Sequence, residues 1–454
     1  MFFSREKELQ ILKTQFQKTN NAVAIYGKRR VGKTALIKQA DKGGKTFIYF
    51  ECLHDLEKEN VQLFKNECEK QGVSFPNYFV ADRFIQVFEY LNTLNKSLVV
   101  AIDEYPYLRE LNNPSAIDSE FQNIIDNRLT NINLVISGSQ IRMMEEILAK
   151  GNPLFGRFSE TIYLEELNYK EASNFYSHKS VYDKIAFYSV FAGSPFINEC
   201  IDETKSLKEN IIDTYLHVGG KVYNYAHNVL LSDVTNKMHA QRILSVLSNS
   251  KKKHKEIIDV LDKDRTGIIN RSLNSLVELK IIKKVEPINK LGDSKKASYE
   301  IRDNVLRFFY SYIYKNQSQL ELLGPQSFYE EYIETTIDTF ISRRFEEQVR
   351  QYFSLQVKEG KIKGIKNIGT YYYDDIENKT NGEFDVVLAT NDGYNVYEAK
   401  YYKEPISDSV INKEIDQIEK IKDISINKIG FVSATGFKNK KENFIYIDGD
   451  ALYK

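Results

Sequence analysis

With 454 residues, 42% of them hydrophobic, the chain is long enough for about three ordinary domains, each with a real core. Its 63 Lys and Arg balance 63 Asp and Glu, which excludes capture of a nucleic acid by an overall field and leaves only local charge for that task. Cys52, Cys68 and Cys200 lack disulfide density and metal-ligand spacing, the start does not resemble a signal peptide, and no apolar run approaches the roughly 18 residues of a membrane span; a cytoplasmic protein with no membrane partner is expected.

The first informative stretch is Gly27-Lys28-Arg29-Arg30-Val31-Gly32-Lys33-Thr34, which fits G-x-x-x-x-G-K-[ST] and follows the short apolar run Ala22–Tyr26. A strand, a glycine-bearing turn and a helix opening near Lys33 aim backbone N–H groups and a helix N-terminus at one point, which is an anion site. All eight residues are therefore candidates for holding ATP: Lys33 reaching the terminal phosphates, Thr34 ligating Mg²⁺. The apolar runs 46–50, 98–102, 134–136 and 162–164 alternate with helical stretches, the pattern of a parallel sheet covered on both faces. The second ends in Asp103-Glu104, placing Asp103 to orient the metal through its water shell and Glu104 to polarise the attacking water. The third runs into Ser137-Gly138-Ser139, where Ser139 can sense the terminal phosphate. Arg157, in the turn Asn152–Arg157, is of the type that offsets charge on a transferring phosphoryl group.

These motifs, with Phe3–Leu9 ahead of them and Ala192-Gly193-Ser194-Pro195 after them, occur in the order seen in the archaeal-type ATPases of the STAND class, which the chain resembles. The resemblance implies a P-loop domain over 1–167 and a helical lid over 168–235 carrying the Gly-x-Pro element. A winged helix-turn-helix would follow over 236–326, and nucleotide switching is implied more than fast turnover. It also makes Arg157 a nucleotide-contacting residue, in cis or in trans.

From 239 to 302 the residues themselves give helix, helix, helix and then a hairpin. In the third helix Ile269, Leu273, Leu276 and Val277 share a side, with Asn270, Arg271, Asn274 and Ser275 opposite. Residues 281–285 and 297–301 pair around Gly292-Asp293-Ser294, a winged-helix layout. Residues 249–296 hold 13 Lys/Arg against 7 Asp/Glu, a local basic excess able to follow a DNA backbone. A solvated face, or packing against the nucleotide domain, explains the charge equally well.

After the break at Gly324-Pro325, a last unit is expected over 327–454. Asp392-Gly393 signals a two-residue hairpin. That loop pairs Asn391 with Tyr394, sets Val387 opposite Glu398 and Asp385 opposite Lys400, and gathers Glu383, Asp385, Glu398 and Lys400 on one face. Carboxylates with one amine on a strand pair suit metal-dependent phosphodiester hydrolysis: Asp385 and Glu398 for Mg²⁺ or Mn²⁺, Lys400 to orient water or offset charge at phosphorus, Glu346 as a further ligand. Gln417, on a helix over about 412–422, is a weaker polar candidate. A hairpin laced by cross-strand ion pairs is the plainer alternative. The layout resembles the PD-(D/E)XK nuclease superfamily, with Glu398-Ala399-Lys400 as its E-x-K and Phe384 in place of the Pro that often precedes the Asp. It also resembles the DUF234 domain that commonly ends archaeal-type ATPases.

The expected fold is thus α/β: a P-loop NTPase sheet, helical lid, winged helix and restriction-endonuclease-like C-terminal domain. The expected activity is an ATP-driven switch coupled to a nuclease-like site. Its partner is nucleic acid, DNA before RNA, and a homo-oligomer is compatible with the pattern; defence against mobile elements is one setting. A DNA-binding regulator with a silent C-terminal domain, or a signalling ATPase that binds protein, are the rivals.

Overall fold

Five parallel strands in the order β2-β3-β4-β1-β5 organise the first of two compact units, Met1–Glu166, in the computed structural model. Residues 2–229, 237–261, 266–375, 380–421 and 424–454 are described by the structure. The first unit comprises α1 (Glu6–Gln17), β1 (Asn21–Tyr26), α2 (Lys33–Gln39), β2 (Thr46–Glu51), α3 (Glu57–Lys70), α4 (Phe84–Thr93), β3 (Leu98–Asp103), α5 (Pro106–Leu111), α6 (Pro114–Asn127), β4 (Ile132–Gly138), α7 (Ile141–Leu148) and β5 (Glu160–Tyr163). β3 and β4 are buried along their whole length because both faces of the sheet are covered, which explains their unbroken apolar sequences. One face packs the ring cluster Phe50, Phe64, Phe84, Phe88 and Phe121. The other covers Val23, Ile25, Val99, Ala101 and Val135 with α1 and α2. Since β4 lies between β1 and β3, its C-terminal end sits between the phosphate loop and the acidic pair.

The second unit, Leu167–Lys454, holds one continuous apolar core from Leu167 to Leu452. Its helices begin with α8 (Tyr169–Ala172), α9 (Val181–Phe191), α10 (Pro195–Asn198), α11 (Leu207–Thr214) and α12 (Lys221–Asn224). Then come α13 (Lys237–Leu247), β6 (Lys252–Lys253), α14 (His254–Leu261), α15 (Thr266–Glu278), β7 (Ile282–Val285) and β8 (Ser298–Ile301), with β6-β8-β7 an antiparallel sheet. This helix–hairpin segment has the order expected of a winged helix; Ile269, Leu273 and Leu276 are buried while Arg271 and Asn274 are exposed. The expected lid boundary at 235 and 236 lies outside the described residues.

The remainder is α16 (Asn304–Phe308), α17 (Gln317–Tyr332), α18 (Ile337–Lys358), β9 (Asn367–Asp375), β10 (Thr380–Ala389), β11 (Tyr394–Lys400), α19 (Asp408–Glu419), β12 (Ile426–Ser433), β13 (Ile445–Asp448) and α20 (Gly449–Tyr453). Its sheet runs β13-β12-β11-β10-β9, antiparallel from β9 to β11 and parallel from β11 to β13. The Gly324-Pro325 break is a kink inside α17, with Gly324 at φ 73, and does not divide compact units. α18 buries Ile341, Phe345, Val349 and Phe353, a helical stripe that packs into the shared core.

Candidate functional site

Phosphate-loop geometry follows from its glycines. A Cβ on Gly27 would lie 2.2 Å from the Leu164 carbonyl oxygen, so the loop threads a gap only glycine fits. Gly32, at φ 95, turns the chain into α2, which starts at Lys33. Arg30 also takes a left-handed conformation (φ 66), and Val31 is buried beneath the loop. The Lys33 ammonium donates to the Gly27 and Lys28 carbonyl oxygens at 3.1 and 3.0 Å, curled across the loop it serves. Lys28 pairs with Glu166 at 3.2 Å, and Arg29 reaches the Tyr107 hydroxyl at 3.4 Å. Arg5, which sequence reasoning missed, is buried and donates to the Val31 and Glu165 carbonyl oxygens, clamping the loop from the start of α1.

Asp103 gathers three hydroxyls on its carboxylate. Thr34 Oγ1 and Tyr49 OH each donate to its Oδ2 at 2.7 Å, and Ser137 Oγ to its Oδ1 at 2.5 Å. Burial first, then the Asp103 charge, pushes the Tyr49 phenol far up, so it stays a donor. Thr34 and Asp103 are thus adjacent, as a Mg²⁺ ion held by one and oriented through water by the other requires. Glu104 takes φ 50, and its carboxylate accepts from Ser139 N–H at 3.0 Å and Ser139 Oγ at 2.8 Å. Ser139 therefore holds the residue expected to activate water.

Arg157 is not brought to the loop. It precedes β5, whose Glu160 aligns with Val23 near the start of β1, so it lies at the opposite edge of the parallel sheet, paired with Asp126 at 3.1 Å. A contact with nucleotide bound by the same chain does not follow from that position.

The C-terminal cluster differs from its expected register. Ala389 pairs with Tyr394, so the hairpin loop is Thr390–Gly393 rather than Asp392-Gly393, and Val387 faces Val396 rather than Glu398. Continuing the register brings Asp385 level with Glu398. A bulge against β9 between Phe384 and Val387 also breaks strict alternation: Phe384 and Val387 join one apolar cluster, Val386 and Leu388 another. The single flat face expected for the four groups is therefore replaced by a site built around the bulge, with Asp385 on it.

Several groups converge there. Burial, then the charge of Asp385, raises Glu346 on α18 to about 8. Glu398 is pushed up to about 7 by burial, against the pull of Lys400. Asp385 is raised by burial and restrained by Arg350, which donates to its carbonyl oxygen at 2.5 Å. Burial opposes the Lys400 ammonium, but Glu398 at 3.2 Å and Glu414 at 2.9 Å outweigh it and raise its pKa. Glu414 went unforeseen although periodicity marks it: it lies beside the buried Ile411, Ile415 and Ile418 of α19, whereas Gln417 is exposed and reaches only Tyr373 OH.

Crowded, raised carboxylates suit a divalent cation in charge. In position they suit it less: among the described residues no three His, Cys, Asp or Glu side chains are arranged to hold a metal ion. The expected trio Glu346, Asp385 and Glu398 is not a ready ligand set, because Glu398 is already paired with Lys400, which also holds Glu414, and Glu346 keeps its proton near neutrality.

Comparison with known proteins assigns both regions. The family model described as an ATPase domain predominantly from Archaea matches residues 2–196, and DUF234, described as archaeal and bacterial proteins of unknown function, matches 309–418. The chain carries an archaeal-type ATPase domain and a DUF234 domain. An uncharacterized protein of Methanocaldococcus jannaschii, MJECL04, is 27% identical over 326 residues, 71% of each chain. The Walker-type ATPase PABY2304 of Pyrococcus abyssi superposes with a TM-score of 0.51 at 18% identity, covering 68% of this chain and 96% of that one. The Aeropyrum pernix ORC2 protein gives 0.47 at 12% identity, over 70% and 94%. The archaeal-type ATPase domain thus contains the whole phosphate-loop site, and the DUF234 domain contains Glu346, Asp385, Glu398, Lys400 and Glu414. Among the described residues no helix is long and apolar enough to cross a membrane.

Proposed function

We propose that the chain is a nucleotide-controlled switch whose DUF234 domain hydrolyses phosphodiester bonds in DNA. In the ATPase domain, the loop N–H groups and Lys33 bind ATP; Thr34 and Asp103 are the residues that would hold Mg²⁺, whose charge would offset that developing on the phosphates. Glu104 orients the attacking water once a terminal phosphate takes Ser139 from it. Turnover then depends on which partner Ser139 holds, a behaviour that suits STAND-type switching.

The observation that carries the nuclease reading is Lys400, half-buried and held between Glu398 and Glu414, with Asp385 level with Glu398. A fixed ammonium there is suited to a phosphate oxygen as charge grows on it, and Asp385 and Glu398 are the pair that would hold Mg²⁺ or Mn²⁺. The unconverged carboxylates favour a second reading, a DNA-binding regulator with a silent DUF234 domain. Plasmid, linear and single-stranded DNA incubated with Mg²⁺ or Mn²⁺, with no nucleotide, ATP, ADP or a non-hydrolysable analogue, separates the two. Cleavage lost in Lys400→Ala supports the nuclease; none by wild type in any state leaves the regulator. A setting in defence against mobile elements would require the nuclease outcome.

A further inference from the structure

The carboxylate site has a second lysine from outside the DUF234 match. Lys251 lies between α13 and β6, and its Nζ is 2.5 Å from Glu383 Oε2, two residues along β10 from Asp385. Its charge also acts on Asp385. The segment that carries it is pinned just ahead of the lysine: Ser311 Oγ donates to the Ser248 carbonyl at 2.9 Å, and Arg343 to the Asn249 carbonyl at 2.7 Å. Arg343 shares one face of α18 with Glu346, Glu347 and Arg350, at helical spacings of three, four and seven. Glu347 pairs with Lys283 of β7, and Arg350 grips Asp385. One helix face thus fixes the helix–hairpin segment and the bulged strand together.

The hairpin loop is docked as well. Ile288 N–H donates to the Thr370 carbonyl at 2.7 Å, and the Asn289 side chain bonds both the N–H and C=O of Tyr372, so the loop covers the edge strand β9. A winged helix reading DNA with its wing needs that loop outside. Here it is bound, and what the segment offers the site is Lys251.

A lysine–glutamate pair beside the proposed hydrolytic centre, with Lys251 a third exposed and Glu383 Oε1 buried with no hydrogen-bond partner among the described residues, is a poor final arrangement for either charge. A phosphodiester supplies the same anionic oxygens as Glu383 in a form that continues along a strand.

We propose that Lys251 is a phosphate-positioning residue of the C-terminal site, lent by the helix–hairpin segment, and that Glu383 holds its ammonium until a nucleic-acid phosphate replaces it. The hydrolytic step rests on the nuclease reading above; the binding step does not.

The test uses full-length protein and labelled DNA and RNA oligonucleotides, with affinity measured by anisotropy over a series of KCl concentrations, for wild type, Lys251→Ala, Lys251→Arg and Glu383→Gln. Lys251→Ala should bind severalfold more weakly at low salt and reduce the slope of log K against log salt by about one. Lys251→Arg should restore both, and Glu383→Gln should bind more tightly than wild type. The DNA and RNA arms identify which backbone is taken. An unchanged slope in Lys251→Ala overturns the proposal, as does a wild type that binds neither nucleic acid. Should Lys251→Ala misfold, Glu383→Gln binding no tighter than wild type overturns it. Lys251-dependent binding without cleavage under any condition keeps this inference and removes the nuclease.

Discussion

Replacing Glu346 by Gln tests the half-buried carboxylate cluster through stability alone, whatever the cluster's chemistry. Burial and Asp385 move Glu346 from 4.5 to about 8 in the folded chain. A difference of one in pKa is ~1.4 kcal/mol, so ionising Glu346 in place costs on the order of 5 kcal/mol. The folded state binds this proton at pH values where the unfolded chain has released it. Its contribution is therefore complete below the ordinary carboxylate range and is lost as pH rises through about 8. The glutamine variant has nothing to ionise there. Near pH 5 it should be within about 1 kcal/mol of wild type, the scale of one altered hydrogen bond. At pH 9 it should be more stable by several kcal/mol. Urea unfolding followed by circular dichroism, with hydrogen exchange in α18 identifying the transition of the second unit, measures both. A difference from wild type that stays constant from pH 5 to pH 9 would refute the claim that Glu346 is held protonated by its surroundings.

Lys33→Ala should lose nucleotide affinity by calorimetry, while Glu104→Gln should bind ATP and hydrolyse it ~100-fold more slowly; tight ATP binding by Lys33→Ala would show the loop is misassigned. Gly27→Ala drives a Cβ to 2.2 Å from the Leu164 carbonyl, so melting should fall by several degrees and ATP binding with it; a variant as stable as wild type contradicts the close approach. Glu414→Gln takes one of two carboxylates from Lys400 and should lower that lysine's pKa. If the DUF234 domain cleaves, its rate in Glu414→Gln should decline at a lower pH than in wild type, and identical pH profiles would remove Glu414 from the site.

The geometry around the phosphate loop was legible because it is local. Gly27–Thr34 is contiguous, and Asp103-Glu104 and Ser139 end apolar strands whose parallel pairing is the commonest use of such runs. Placing Arg157 failed to follow, since residues at the two ends of a strand look alike until its direction in the sheet is known. At the second site the expected residues lie on neighbouring strands, but in a different register. Gly393 is a glycine because its Cβ would lie 2.4 Å from the Ser425 carbonyl, not because a two-residue turn demands it. That reason resides in a segment distant in sequence. Lys251 was invisible for a stronger reason: its partner is 132 residues away and neither carries a motif.

The same long-range pairing argues against treating 236–326 as a separate DNA reader. Lys283 bridges Glu300 of its own sheet and Glu347 of α18, and Arg307 of α16 pairs with Glu300. Burial works against the Glu300 charge, yet Lys283 and Arg307 hold its pKa far down; Glu300 and Arg307 are buried, while Lys283 and Glu347 stay partly exposed at the rim. Cutting the chain after 326 would take Glu347 from Lys283 and, with the rest of α18, uncover the apolar core beneath. Lys283 and Glu347 are each about a quarter exposed, so the lost pair itself costs only about 1 kcal/mol, and the uncovered apolar core of α18 costs more. The helix–hairpin segment is accordingly held to the DUF234 domain by these ion pairs and the shared core, which keeps Lys251 in place beside Glu383 and Asp385.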